Sequence, residues 1–200
     1  MDNKTKPTLI LASSSPRRRE LIRTLGMPVE IRKNDVDETI SADFPPRKIV
    51  EELSMRKAKA AFESIQIEGE HSVVIGSDTI VVHEGTVLGK PKSAEDAFQM
   101  LKRLQGETHE VFSGIACIQA PTGRVKVAHH MTQVTMKPLQ HDQIHRYIAS
   151  GEPMDKAGAY AIQGLGATFV EKITGDYFAV VGLPLSLLSD MLSDLEIHVI

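Results

Sequence analysis

Short apolar runs and amphipathic stretches take turns along this chain, and their spacing predicts its elements. TLILAS is a brief apolar run ending in a serine cluster and reads as a buried first strand. A helix follows at once in SPRRRELIRTLG, with Ser15 as its N-cap and Pro16 as its first residue. Leu21, Ile22 and Leu25 carry the helix forward until Gly26 stops it. VEIRKNDVDE reads as a second extended segment that DFPPRK interrupts. From Arg47 to Ser64 a long helix sets Val50, Leu53, Lys57 and Ala61 on one face.

The β-prone run HSVVIGSDTIVV comes next, with HEG as its turn and TVLGKP as the return strand. Ser93 and Asp96 form a capping-box-like start to a helix ending near Gly106. HEVFSGIACIQA and GRVKVAHHMTQVTMK are predicted to form a hairpin through PTG. A helix covers about Gln140 to Ser150 and stops at Gly151. Beyond the glycine-rich DKAGAYAIQGLG, the runs ATFVEKI and YFAVVGLP are expected as strands around TGD, and LPLSLLSDMLSDL as a closing helix. No repeat or linker divides the chain. The pattern is α/β, and because several connections are hairpin-short the expected sheet is mixed.

Composition narrows the class. The chain has 200 residues and 42 % apolar content, suited to one sizeable domain or two small lobes sharing a core. With 23 basic against 26 acidic residues the net charge is −3, so nothing global recruits nucleic acid or an acidic membrane. The chain has no tryptophan and few other aromatics, which argues against a single-strand stacking platform. Cys117 is the only cysteine and reads as a buried strand residue. The N-terminal apolar run is too short for a signal-peptide core and no 18-residue apolar span occurs, so a cytoplasmic protein is expected.

Against this background a few charged residues stand out. Arg17, Arg18 and Arg19 occupy the first turn of a helix, where the partial positive charge of the helix end makes cations unwelcome. An anion should meet them, as it does at many strand–turn–helix junctions. Asp78 interrupts an apolar strand, and a buried carboxylate is costly unless a metal, a cation partner or a general-base role justifies it. A three-residue turn at His83, Glu84 and Gly85 would set Asp78 opposite Lys90, and a two-residue turn would separate them. Lys57 lies on the apolar face of its helix, where its ordinary reading is snorkelling to water. Asp37 and Glu38 are unremarkable alone, but with Asp78 they offer the oxygen ligands that Mg²⁺ or Mn²⁺ prefers.

Other motifs fall short. There is no GxxxxGK[ST] phosphate loop, and GLGATF lacks the last glycine of a dinucleotide fingerprint. HDQIH resembles a zinc-hydrolase helix but carries Asp142 where the general-base glutamate belongs. His129 and His130 are expected on opposite faces of a strand.

Seven segments in order, ASSSPRRREL, VDE, LSMRKAKA, GSDTIV, LGKP, DKAGAYAIQG and GDYFAVVGLPL, resemble the motifs of the Maf family of nucleoside triphosphate pyrophosphatases, over about Leu9 to Leu188. The resemblance implies a single domain over 1–200 with an inosine triphosphatase-like fold: a twisted mixed sheet flanked by helices in two lobes with a central cleft. It implies hydrolysis of a nucleoside triphosphate to the monophosphate and pyrophosphate with a divalent metal cation. Asp78 falls on the family's catalytic aspartate and Glu38 on an acidic position that helps hold the metal. Ser13, Arg17, Arg18, Lys57 and Lys90 fall on substrate-binding positions. Arg17, Thr79 and Gln163 match the dTTP/UTP branch, and an amide can both donate to and accept from a uracil or thymine edge. Ser77 stands where Ala is commoner, and Ala179 where members often carry a polar residue. A homodimer is also consistent with the resemblance. The rival readings are a non-catalytic, nucleotide-binding regulator of septum formation, a zinc hydrolase built on HDQIH, and a nucleic-acid module.

Overall fold

The computed structural model describes residues 7–33, 35–41, 43–64 and 72–200. Asn34 and His71, both expected in extended segments, lie outside them. In chain order the elements are β1 (Thr8–Ala12), α1 (Pro16–Arg23), β2 (Val29–Arg32), α2 (Pro46–Glu63), β3 (Ser72–His83), β4 (Thr86–Leu88), α3 (Ala94–Leu104), β5 (Thr108–Ala120), β6 (Val125–Met136), α4 (His141–Ala149), β7 (Val170–Thr174), α5 (Tyr177–Val181) and α6 (Leu185–Asp194). Three 3₁₀ turns lie between α4 and β7. The strands pair in the order β2-β1-β3-β5-β6-β7, with β4 on β3. β1 runs parallel to β2 and β3, while β3–β4 and β6–β7 are antiparallel, so the sheet is mixed as expected.

The chain forms two compact units, one of residues 1–78, 113–130 and 182–200 and the other of 79–112 and 131–181. In the first, Ile10, Ala12, Val74, Ala116 and Ile118 of the strands bury against Ala58 and Ala61 of α2. Gly76 fixes how closely helix and strand approach. A Cβ there would come within 2.7 Å of the Ala58 amide nitrogen, so only glycine admits α2 at this point. In the second unit, Leu101 and Leu104 of α3, Ile144 and Tyr147 of α4, Val111, Val134, Met136 and Phe169 share a core.

The expected helices form with their caps. Ser15 accepts from the Arg18 amide, Pro16 opens α1, and Gly26 follows at φ +64°. Ser93 accepts from the Asp96 amide at 3.1 Å. Other expectations need correction. YFAVV is the short helix α5 rather than a strand. Asp176 Oδ1 accepts from the Phe178 amide at 2.7 Å, and this local cap overrides the β propensity of the run. The strand expected in ATFVEKI begins only at Val170, after a 3₁₀ turn over Gly164–Phe169. The second extended segment is regular only over Val29–Arg32, and the return strand only over Thr86–Leu88.

The register of the β3–β4 hairpin is also different. His83 pairs with Thr86, Val82 with Val87 and Val81 with Leu88, and the ladder ends there, so Asp78 and Lys90 are not cross-strand partners. The reason is a two-residue turn: Glu84 joins Gly85 at positive φ, at 47° and 72°, whereas a three-residue loop needs only the glycine there. Arg103 fastens the turn by donating to the His83 carbonyl and to Thr86 Oγ1, each at 3.2 Å.

Candidate active site

Asp78 ends the portion of β3 in the first unit, two residues after the glycine that lets α2 approach. Its side chain is 12 % exposed, and Lys57 of α2, itself only 14 % exposed, donates to Asp78 Oδ1 at 2.5 Å. The same ammonium lies 2.7 Å from Glu38 Oε1. Lys57 therefore does not snorkel. It stays inside because two carboxylates meet it there, which supplies the pairing a buried charge requires.

The segment bearing Glu38 is held from behind. Arg56, one residue before Lys57 and on another face of α2, donates through Nη1 to the carbonyls of Asp37 at 3.0 Å and Thr39 at 2.9 Å. Its Nε meets Glu52 Oε1 at 2.9 Å. Asp37 Oδ1 accepts from the Thr39 amide at 2.8 Å, and hydrogen bonding to Thr39 holds the Asp37 carboxyl below its usual range. Asp37 is thus a turn-former. The sequence reading passed over Arg56, whose only signal is its spacing of four from Glu52.

The arginines of α1 diverge. Arg18 reaches the far end of the chain, with Nε donating to the Gly182 carbonyl at 2.8 Å and Nη1 to the Ser77 carbonyl at 2.9 Å. Burial lowers its pKa and the nearby Asp78 opposes that shift. Ser77 Oγ donates to the same Gly182 carbonyl at 2.9 Å, which gives the Ser77 hydroxyl a role the sequence did not suggest. α1, β3 and the start of the C-terminal segment thus meet at one carbonyl oxygen. Arg17 Nε and Arg19 Nε are buried with no hydrogen-bond partner. Ser13 is buried, and its hydroxyl accepts from the Ser15 amide at 3.2 Å.

Thr79, Lys90 and Gln163 belong to the second unit. Thr79 is half-buried on β3, Lys90 is exposed after β4, and Gln163 is half-buried at the head of the 3₁₀ turn Gly164–Phe169. Gln163 is bracketed by a polar scaffold that sequence reasoning missed. Glu152 accepts from the amides of Leu165 and Gly166 and from the Tyr147 hydroxyl, each at 2.9 Å. That hydroxyl in turn accepts from the Ala161 amide at 3.2 Å.

Other candidates have ordinary explanations. His141 and His145 pack on the ring of Phe98, with centroids 5.3 and 4.7 Å away, so HDQIH is an aromatic contact. His129 Nδ1 lies 2.7 Å from Glu51 Oε1. Cys117 is buried and free, and burial pushes its thiol up to about 12, so it is inert. Among the described residues no three His, Cys, Asp or Glu side chains cluster to hold a metal, and no helix is long and apolar enough to cross a membrane.

A mixed α/β protein with two carboxylates on one lysine, beside a helix start rich in arginine, has the equipment of a phosphate-handling enzyme. The chain belongs to the Maf family: the family model described as "Maf-like protein" matches residues 8–195. It is 50 % identical over 192 residues to the dTTP/UTP pyrophosphatase of Desulforamulus reducens, covering 96 % of this chain and 98 % of that one. To the dTTP/UTP pyrophosphatase of Moorella thermoacetica it is 49 % identical over 185 residues, covering 92 % and 93 %. Among solved structures the Ham1 protein of Staphylococcus aureus is similar at 16 % identity and a TM-score of 0.47, over 82 % of this chain and 79 % of that one, a likeness too slight to bear on function.

Proposed function

We propose that this protein is a nucleoside triphosphate pyrophosphatase that hydrolyses dTTP and UTP to the monophosphate and pyrophosphate. The names of its half-identical relatives supply the reaction, and the convergence of Asp78 and Glu38 on one lysine supports it in this chain. Water attacks the α-phosphorus, its proton passes to an acceptor, and the bond to the β-phosphate oxygen breaks.

The residues present fit a divalent cation. Asp78 and Glu38 are hard oxygen donors already drawn to a single positive point at 2.5 and 2.7 Å, and they would hold Mg²⁺ or Mn²⁺. Two carboxylates leave coordination positions for water and phosphate oxygens, the arrangement Mg²⁺ favours over an all-protein cage. When bound, the cation offsets phosphate charge and polarises the reacting centre.

The chain's own groups divide the remaining tasks. Asp78 accepts the proton of the attacking water at a carboxylate oxygen. Lys57 neutralises the two carboxylates and supplies positive charge for the phosphates. Arg17, half-buried at the start of α1, supplies positive charge for the phosphates. Ser13 and Lys90 add donors for the phosphates. Arg18 has two donors committed to backbone carbonyls, so it holds the site together and contributes charge to the phosphates. Thr79 and Gln163 read the base.

The test is pyrophosphate release from dTTP, UTP, CTP, dGTP and 7-methyl-GTP with Mg²⁺ or Mn²⁺, with Asp78→Asn in parallel. Release from dTTP and UTP alone, lowered about 10²–10⁴-fold in the variant as for loss of a general base, is expected. Nucleotide binding with no turnover of any triphosphate would overturn the enzyme reading in favour of a non-catalytic regulator.

A further inference from the structure

The loop carrying Gln163 is glycine-rich, largely 3₁₀ and on the surface of its unit, features that ordinarily give mobility. Yet base selection by an amide requires the side chain to be fixed, because a loosely held donor–acceptor pair satisfies a wrong base nearly as well. The backbone on both sides of Gln163 is held by the pair Glu152 and Tyr147. The Tyr147 hydroxyl takes the Ala161 amide on one side of Gln163. The Glu152 carboxylate takes the Leu165 and Gly166 amides on the other, and the two side chains are hydrogen-bonded to each other. Three backbone N–H groups within six residues thus converge on one polar pair, with Gln163 between them.

Several features show that this scaffold is built. Partial burial opposes ionisation of Glu152, but the hydrogen bonds from Gly166, Leu165 and Tyr147, with Lys156, outweigh it and hold the carboxyl below its usual range. The ring of Tyr147 packs edge-on against Phe169, which closes the same 3₁₀ turn. The glycines are required by the scaffold. A Cβ on Gly164 would come 2.6 Å from Glu152 Oε2, and one on Gly166 would come 2.6 Å from the Tyr147 hydroxyl. Gly164 in addition sits at φ +70°. Side chains at either position would push the loop off its support.

We propose that Glu152 and Tyr147 are positioning residues for base selection, gripping the backbone on both sides of Gln163 so that its amide meets the pyrimidine edge in one orientation. This rests on the reading of Gln163 as the base-reading residue. Neither residue touches the nucleotide; both act through the loop.

The test compares wild type, Gln163→Ala, Glu152→Gln and Tyr147→Phe by pyrophosphate release from UTP and CTP, with kcat and KM separated and the melting temperature recorded for each. Glu152→Gln keeps the shape but turns an NH₂ toward a backbone N–H, and Tyr147→Phe strands the Ala161 amide. Each is expected to raise KM for UTP and narrow the UTP-over-CTP preference about tenfold, the scale of one charge-assisted hydrogen bond, with kcat moving less than KM. If Gln163→Ala leaves the preference intact, the reading of Gln163 fails and the proposal with it. If Gln163→Ala relaxes it while Glu152→Gln and Tyr147→Phe keep the wild-type preference, the positioning role alone is overturned. Equal losses on UTP and CTP in step with a lowered melting temperature would also overturn it, since that is what a merely structural role produces. Should one variant fail to fold, the other decides.

Discussion

The cluster around Lys57 and the loop around Gln163 are held by different means. At Lys57 the functional groups hold one another: Asp78, Glu38 and the ammonium between them are each other's partners, and all three are proposed to serve the reaction. At Gln163 the side chain proposed to read the base depends on others: Glu152 and Tyr147 take the amides of Ala161, Leu165 and Gly166 on either side of it and are proposed to take no part in the chemistry. Mutual compensation suits groups that must exchange partners when a polyanion and a cation arrive, because the resting charges are satisfied without a rigid frame. Support from behind suits recognition, where the reading group must already be oriented. The acidic cluster uses both devices, since Arg56 supports the backbone on either side of Glu38.

The largest effect is expected where mutual compensation is broken. Lys57→Met strands Asp78, which is 12 % exposed, and should cost about 3 kcal/mol in denaturant unfolding, the scale for removing one partner of a buried pair. Adding Asp78→Asn should restore part of that loss, because the buried carboxylate left without its lysine is then neutral. A Lys57→Met protein as stable as wild type would break the comparison, showing that the carboxylates do not depend on the lysine.

A loss of about the same size is expected in the second unit on acidification. His109 is buried with Nε2 2.7 Å from the Tyr160 hydroxyl, and its Nδ1 has no partner. Burial, and then the nearby His83, lower its pKa from 6.5 to about 4. The folded state therefore favours neutral His109, and the unfolded chain takes up its proton first. Its stabilisation is complete above pH 6.5 and falls by about 3 kcal/mol as the pH drops toward 4. Unfolding free energies across that range should show it, and His109→Gln should flatten that part of the profile. An unchanged profile in the variant would mean His109 is not the group responsible.

The smallest effect sharpens the comparison. Arg56→Gln should raise the Mg²⁺ concentration for half-maximal pyrophosphate release about tenfold, the scale for removing an outer-shell support from a metal ligand. Its effect on the nucleotide KM at saturating Mg²⁺ should be smaller. An unaltered Mg²⁺ requirement would mean that Glu38 needs only Lys57 to hold it.

Much of this was legible in the chain. Ser15, Pro16, Ser93, Gly26 and Gly151 mark helix ends because caps act within three or four residues. The interrupted run at Asp78 announces a carboxylate that needs a partner, and alternatives at that position narrow only in three dimensions. Local reasoning also erred for local causes. Asp176 captures an amide two residues on and turns a β-prone run into a helix, and Glu84 tolerates positive φ and shortens a turn.

The pattern along the chain suffices for the alternation of strands and helices, most of their ends, the mixed sheet and the odd placement of Asp78, Lys57 and three arginines. Which of these groups meet is settled only by packing. Lys57 and Asp78 are 21 residues apart, Arg18 and the Gly182 carbonyl 164 apart, and neither pairing has a periodicity that betrays it. Caps and hydrophobic spacing act along the chain over a few residues. A buried charge chooses its partner by which segments packing brings within hydrogen-bond reach, and that is fixed only once Gly76 admits α2 and the folded chain encloses both groups.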